Sequence, residues 1–514
     1  MQLITFSHTC RGKFRFAALP TKNAGLTALI LLTCLSIFAQ KPATYLKPGD
    51  KARDAGDWTL AYTCYEQAFL LDSADFEIGW RYAEAARHIK YYDLAGRLYE
   101  KLYDKDKGRI HPEGLFWLAA MQKLQGRYED AQRNFRKFQK KHKKADKQLI
   151  DRAAQEEKSA VWALGYKEND DVLESVYADL LKPVIPENCR FEKLIPLELR
   201  GSVNTAASET SPSIHRGNFY FSRHTDNASG WNLHRATMDT SAHPPEFFNM
   251  PAEATIYNDG SGLQRAHSVW ADETMWYTEL DEAGMRLKSD PAVPIPFPVM
   301  DGYLSMPATL RTSTGWRLYF VSDRAGGYGG LDIWYCDLNN GTWSKAVNAG
   351  DVVNTPGDEI SPFAIANCLF FSSDWHEGFG GQDVFCAKDL GGVFDKPFNM
   401  GKTINSSLQD MFFWTDPTLG YYFFSSNREG ATGTSEGVYC CNDLYGGRIE
   451  TNCSEKPADQ LEALMNELPV RLYFHNDEPN PDSWDTTSAV NYSDAFDSYI
   501  GKIPTYEKEN SKGL

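Results

Sequence analysis

The chain has 514 residues, of which 42% are hydrophobic and 13% are aromatic. This composition excludes a disordered or fibrous protein, and the length suits roughly three domains at about 100–200 residues each. The formal net charge of −16 makes nucleic acids and anionic lipids poor candidates for a main partner, because proteins bind both through stripes of Lys and Arg.

Residues 1–39 have the pattern of an export signal. An apolar run from Leu26 to Phe38 follows four basic residues and precedes a small residue, Ala39, at which cleavage is expected. The basic residues are Arg11, Lys13, Arg15 and Lys22. The run is too short to span a bilayer, which takes about 20 residues. Cleavage would remove four of the 53 basic residues and none of the 69 acidic ones, which leaves 49 against 69 and a net charge of −20.

The cysteines raise two alternatives. Cys34 lies in the apolar run and could be a lipoprotein cysteine, but the residues before it are not small and those after it stay apolar, so we expect an ordinary signal-helix residue. Cys368 and Cys386 would lie nearly opposite each other in a hairpin, and we expect small buried side chains there rather than a disulfide.

Residues 45–165 contain a helical repeat. The pattern Gly56-Asp-Trp … Ala61 … Tyr65 recurs around Ala95 and again around Ala131, at intervals of 34 and 36 residues. It predicts three helix pairs and a closing helix, with a small residue at each helix crossing. The pattern resembles the tetratricopeptide repeat (TPR), an α-solenoid whose groove takes a helix or an extended peptide. Residues 166–189, which contain two prolines and no long period, are predicted to be a linker.

Residues 190–447 contain a second repeat, made of strands. Leu318–Arg324 with Gly329–Trp334, and Leu369–Trp375 with Gly380–Phe385, each show an aromatic strand, a Gly-rich turn and an apolar strand. Ser322, Ser373 and Ser426 recur at 51 and 53 residues, long enough for one four-stranded blade. The repeat resembles the WD40-like (PD40) repeats of TolB-type propellers. It predicts a β-propeller of five blades, with six as the alternative, closed by a strand from Cys189 to Leu199 or one near Arg448.

The connections between blades also repeat. Asn204, Asn354 and Asn405 each precede a hydroxyl residue and, a few residues later, a carboxylate. Asparagine side chains bond neighbouring backbone groups in turns, so we expect these three to be turn formers.

The C-terminal region continues with a predicted linker over residues 448–468. Residues 469–514 resemble the start of an OmpA-like domain, and the order of domains resembles PorE-like outer-membrane-associated proteins of Bacteroidetes, a family linked to type IX secretion. An OmpA-like domain needs on the order of 100 residues. We therefore expect either a truncated or divergent copy or a protein that binds the cell wall through a partner, and peptidoglycan binding stays open.

Residues that could carry chemistry are few. Gly433–Gly437 has the G-x-S-x-G pattern around Ser435, but it lies in a hairpin turn and only His475 follows it, so a turn former is expected. The loop Asp323–Asp332 could bind Ca²⁺, although aspartates in Gly-rich turns more often bond the backbone. The sequence thus assigns no catalytic, cofactor-binding or metal-binding residue, and implies no cofactor.

These patterns together favour a non-enzymatic scaffold in the periplasm, associated with the outer membrane. Its expected partners are envelope proteins at the TPR groove and the propeller face, including components of the secretion machinery, and not nucleic acids. The alternative is a surface or periplasmic propeller enzyme that acts on peptide or carbohydrate in the central channel.

Overall fold

The computed structural model describes residues 41–453 except for 168–169, 186–187, 201–202, 226–229, 238–246, 250–254, 257–263, 282–283, 294–302, 340, 433–438 and 440. The described residues up to Asn452 belong to one compact unit. The predicted export signal, Cys34, Ser435, His475 and the OmpA-like segment lie outside the described residues.

Eight helices come first in the described chain. They are α1 (Ala43–Asp54), α2 (Trp58–Leu71), α3 (Phe76–His88), α4 (Tyr92–Asp106), α5 (Gly114–Leu124), α6 (Tyr128–Lys141), α7 (Lys147–Gly165) and α8 (Asp170–Leu181). Aspartates begin three of them: Asp57, Asp75 and Asp146 accept hydrogen bonds from backbone N–H groups of the first turns of α2, α3 and α7. In this part of the chain no helix is long and apolar enough to cross a membrane.

The repeat positions predicted to pack the helices are buried. Ala61, Ala95 and Ala131 have no exposed surface, and the aromatic residue four positions later in each helix is also fully buried. Consecutive helices from α1 to α7 contact each other. The sequence therefore located the helical region and its core correctly.

The predicted linker contains helix α8. Val176, Tyr177, Leu180 and Leu181 are buried in one cluster with Phe191 of the first strand. Their spacing places them on one face of the helix, and this apolar face packs on the sheets that follow. The segment is thus part of the packed structure.

The strands form five sheets, which are the five blades of a propeller. Blade 1 comprises β2 (Ser208–His215), β3 (Asn218–Thr225), β4 (Gly230–Thr237) and β6 (Thr255–Ile256). Blade 2 comprises β7 (Gln264–Ala271), β8 (Thr274–Asp281) and β9 (Gly284–Asp290). Blade 3 comprises β10 (Leu304–Arg311), β11 (Gly315–Ser322), β12 (Asp332–Asn339), β13 (Thr342–Trp343) and β14 (Val347–Asn348). Blade 4 comprises β15 (Glu359–Ile365), β16 (Cys368–Ser373), β17 (Asp383–Lys388) and β18 (Phe398–Asn399).

Blade 5 joins the two ends of the propeller. It contains β19 (Asp410–Asp416), β20 (Tyr421–Ser426), β21 (Asp443–Cys453) and then β1 (Cys189–Arg200), with β5 (Phe247–Asn249) parallel to β1. The prediction of five blades is confirmed, and so is closure by the strand that begins at Cys189. A ring closed in this way leaves few strand edges unpaired.

Three asparagines tie successive blades together. Asn354 accepts a hydrogen bond from the backbone N–H of Ile333 (2.8 Å) and donates to its carbonyl (2.9 Å). Asn405 makes the same pair of bonds with Val384, and Asn204 makes them with Leu444. Each amide therefore pairs with the N–H and the carbonyl of one residue in the third strand of the preceding blade, as a neighbouring strand would. These bonds reach further along the chain than those of the predicted turn formers.

The helical region packs against blade 4 through α7. The guanidinium of Arg152 donates to the carbonyl of Asp374 (2.8 Å) and pairs with its carboxylate (3.1 Å). Ser159 accepts a hydrogen bond from the backbone N–H of Gly378 (3.2 Å). Phe379 completes the contact against the ring of Trp162, with centroids 5.0 Å apart.

The cysteine pair of blade 4 is reduced. Cys368 and Cys386 are free and buried, as predicted. Cys386 pairs in register with Phe370, so the two cysteines are diagonal neighbours and not directly opposite. Cys189, Cys441 and Cys453 are disulfide-bonded.

Candidate functional site

The inner strands of the five blades surround the central channel. Strands β2, β7, β10, β15 and β19 contact each other in a closed ring, and each contains a shift of register near its start. At each shift one residue has a positive φ between 53° and 55°: Ser211, His267, Met306, Ser361 and Phe412. A bulge re-aims the side chain it carries, and here it places one side chain from each blade around the channel.

The contacts among these five residues form two groups. The hydroxyl of Ser211 is 2.7 Å from Nδ1 of His267, and the His267 ring stacks on Phe412 with centroids 4.9 Å apart. The backbone N–H of Ser361 lies 3.4 Å from the sulfur of Met306. The space that remains in the channel has a volume of about 40 Å³. This volume is far below the range of about 300–1,000 Å³ that is typical of ligand pockets, so the channel itself is too small to be a ligand site.

A much larger cavity of about 860 Å³ adjoins the channel at the end where the inner strands begin. His267, Met306 and Phe412 line both spaces. Trp231 and Tyr303 of the propeller form part of the wall, and the turns before α2 and α4 add residues 56–59 and 88–90. We call this space the channel-mouth cavity.

Two buried polar groups of the cavity wall lack hydrogen-bond partners. Oγ1 of Thr210 and Oδ1 of Asn442 make no hydrogen bond among the described residues, and the two residues are only 2% and 7% exposed. A buried acceptor without a donor costs free energy of about 1–3 kcal/mol. Both residues line the cavity, so a polar ligand there would satisfy these oxygens if the side chains adopt rotamers that face it.

His267 is uncharged at neutral pH. Burial lowers its pKa to about 3, because the ring has no charged neighbour that offsets the loss of water. Nδ1 is engaged with Ser211, while Nε2 has no hydrogen-bond partner within the described residues. A neutral imidazole has one N–H and one bare nitrogen, so when Nδ1 accepts a hydrogen bond from the Ser211 hydroxyl, Nε2 carries the hydrogen and acts as a donor.

Carboxylates at the starts of the inner strands form hydrogen bonds within the propeller. Glu209 accepts hydrogen bonds from the hydroxyl of Thr205 (2.6 Å) and from Arg223 (2.7 Å). Glu359 is bonded by Thr355 and by Ser373 in the same way. Burial raises the pKa of both glutamates to about 7. Among the described lining residues of the cavity, the one carboxylate is Asp57, which caps α2.

The loop considered for Ca²⁺ is held by its own backbone. The carboxylate of Asp332 accepts hydrogen bonds from the N–H groups of Tyr328 (2.6 Å) and Gly329 (3.2 Å) and from the amide of Asn348 (2.9 Å). Asp323 accepts one from the N–H of Tyr303 (2.8 Å). No group of three potential metal ligands was found in the described part of the chain. The backbone-bonding alternative accounts for this loop.

The sequence did not point to the channel-mouth residues. Ser211 and His267 are 56 positions apart and meet only because adjacent blades pack side by side. One signal was present: Ser211, Met306 and Ser361 are each followed by proline at the same point of an inner strand. Proline in a strand often marks a bulge, so this repeat could have located the ring.

No known family profile and no curated protein matches this sequence. Solved structures do match, including a thermostable family-43 glycoside hydrolase, which is 11% identical with a TM-score of 0.34 over 50% of this chain and 98% of that chain. The α-L-arabinofuranosidase PaAbf62A from Podospora anserina is 12% identical, with a TM-score of 0.32 over 51% and 98% of the two chains. The GH32 β-fructofuranosidase BmSUC1 of Bombyx mori is 11% identical, with a TM-score of 0.32 over 57% and 71%.

These comparisons do not support the function expected from the sequence. The matched structures are named as a family-43 glycoside hydrolase, an α-L-arabinofuranosidase and a GH32 β-fructofuranosidase, and none of the three is named as a non-enzymatic scaffold. They give no support to the PorE-like, OmpA-like or type IX secretion parts of the resemblance. At 11–12% identity the similarity concerns the propeller fold alone. The substrates of the matched enzymes are therefore not assigned to this chain.

Proposed function

We propose that this protein is a propeller enzyme that binds a carbohydrate in the channel-mouth cavity and acts on it there. The observation that carries the proposal is a wall that combines aromatic rings with unsatisfied polar groups. Trp231 and Phe412 offer flat apolar surfaces, and Thr210, Asn442 and His267 offer hydrogen-bonding atoms. A sugar presents apolar C–H faces and hydroxyls that both donate and accept, so it matches both kinds of surface.

Each group has a definite role in this proposal. The Trp231 and Phe412 rings stack on sugar faces. Asn442 Oδ1 accepts a hydrogen bond from a sugar hydroxyl, His267 donates one from Nε2–H while its Nδ1 accepts from Ser211, and Thr210 can accept or donate. All of these groups are uncharged at pH 7, which favours a neutral carbohydrate over a polyanion.

Two routes to bond cleavage are known for such ligands. Glycoside hydrolysis uses a pair of carboxylates, and the described wall contains only Asp57. Acyl transfer uses a nucleophile beside a base, and Ser211 with His267 has that arrangement where the channel meets the cavity: Ser211 lines the channel, and His267 lines both spaces. A pKa near 3 keeps His267 unprotonated but makes it a weak base. The described residues thus favour removal of acyl groups from a substituted carbohydrate over cleavage of the glycosidic bond.

The experiment is a screen of the purified protein against soluble polysaccharides, acetylated and not. Binding is measured calorimetrically, and the products are assayed separately for new reducing ends and for released acyl groups. Trp231→Ala and Asn442→Ala should each weaken binding, while Trp316→Ala and Asn339→Ala, outside the cavity, should not. Absence of carbohydrate binding by the unaltered protein would refute the proposal.

We also propose a TPR-type arrangement of the helices and export of the protein. The spacing and full burial of Ala61, Ala95 and Ala131 support a TPR-type arrangement of α1–α7. The basic segment and apolar run of residues 1–39 support export to the periplasm. Cell fractionation tests the second of these, and a cytoplasmic location would contradict it.

A further inference from the structure

The helical region supplies a second aromatic surface to the channel-mouth cavity. Trp58 begins α2 and His88 ends α3, and both line the cavity. Their rings are parallel within 6°, with centroids 3.6 Å apart. Burial, followed by the neighbouring Arg87, lowers the pKa of His88 to about 4. The stack covers one face of each ring, and the pair is an uncharged aromatic part of the cavity wall at neutral pH.

This surface is held in a fixed place relative to the propeller. Lys90, two residues beyond His88, accepts a hydrogen bond at its carbonyl from the backbone N–H of Tyr439 (3.2 Å). The next helix begins with Tyr92, whose ring stacks on Tyr439 with centroids 5.8 Å apart. These contacts anchor the turn that carries His88 to the propeller.

We propose that the Trp58–His88 stack is a second sugar-binding platform, so that the cavity takes an oligosaccharide which runs from the channel mouth to the helical region. The inference rests on the proposed function. It follows from the position of two aromatic surfaces in one cavity, Trp231 with Phe412 and Trp58 with His88. The cavity volume of about 860 Å³ is near the upper end of the range for ligand pockets. One platform near His267 would hold the reacting unit, and the other would hold a distal unit.

The test uses oligosaccharides of increasing length from whichever carbohydrate the protein binds. Trp58→Ala and His88→Ala should weaken binding of the longest oligosaccharides about threefold to tenfold, the value of one aromatic contact, and leave the shortest unaffected. The ring of His88 is partly covered by Trp58, but the residue as a whole is exposed, so its replacement by alanine should leave the protein folded, which a thermal melt of the variant checks.

The helical region offers a matched control. Trp80 and His111 form the same kind of stack, with centroids 3.9 Å apart and planes within 2°, but do not line the cavity. Substitution of His111 by alanine should leave affinity unchanged at every length. If the unaltered protein binds no carbohydrate, the proposed function fails. A different outcome is that the unaltered protein binds carbohydrate while the affinities of the Trp58 and His88 variants depend on oligosaccharide length in the same way as its own. In that case only the second platform is refuted.

Discussion

Ser211 and His267 lie at equivalent bulges of adjacent blades, and the serine hydroxyl is 2.7 Å from Nδ1 of the histidine. Neither residue belongs to the hydrogen-bonded register of its own strand at this point. The pair links blade 1 to blade 2 at the edge of the channel-mouth cavity. It is the one place in the described ring of bulges where a hydroxyl faces a neutral imidazole.

This relationship gives a first prediction about chemistry. Ser211→Ala should abolish release of acyl groups while carbohydrate affinity changes by less than about threefold, because the hydroxyl is the nucleophile and not a main binding group. Ser361 is the matched control: it occupies the same bulge in blade 4, with a φ of 53°, but lies beside Met306. Equal activity of both variants in a turnover assay would exclude the serine mechanism.

A second prediction concerns the bonds between blades. Asn405 is 2% exposed and makes two hydrogen bonds with the backbone of Val384. Asn405→Ala should lower the free energy of unfolding by about 2–4 kcal/mol, because it leaves a buried N–H and a buried carbonyl unpaired. Denaturant-induced unfolding measures the loss. Asn339→Ala, at an exposed position, should change it by no more than about 0.5 kcal/mol.

A third prediction follows from overpacking in the helical region. Ala95 has no exposed surface and lies where a small side chain is required. Ala95→Trp should destabilise the protein by about 1–3 kcal/mol, seen as earlier loss of helical circular dichroism on heating. Ala178→Trp places the same side chain at an exposed helical position of α8 and is expected to be tolerated. A melt of Ala95→Trp that coincides with the unaltered protein would show that the crossing has spare volume.

The sequence predicted most of the fold because the residues that recur in its two repeats are those that pack helices or strands together. Ala61, Ala95 and Ala131 mark helix crossings, and the aromatic strand centres mark the blades. The periodicity of a strand does not reveal a bulge here, since each inner strand has only seven or eight residues and the inserted residue leaves too short a run of alternation on either side. The meeting of Ser211 with His267 depends on the packing of whole blades around a ring, which no local pattern encodes.

A fourth prediction concerns pH. Burial raises the pKa of Glu359 to about 7 in the folded protein, above its ordinary value of 4.5. Between these two values the folded state holds a proton that the unfolded state has lost, so stability should fall as pH rises from about 4.5 to about 7 and then level off. Glu209 and Asp383, whose pKa values burial also raises to about 7, act in the same direction, and the window of Asp383 begins lower, at its ordinary value of 3.8.

Glu359→Gln imitates the protonated side chain and retains an oxygen for the N–H of Thr355. The variant should therefore lose part of the difference between its thermal midpoints at pH 5 and pH 8, whereas the exposed replacement Glu129→Gln should keep that difference. A stability that rises with pH across this window in the unaltered protein, and an unchanged difference in Glu359→Gln, would show that Glu359 is ionised in the folded state.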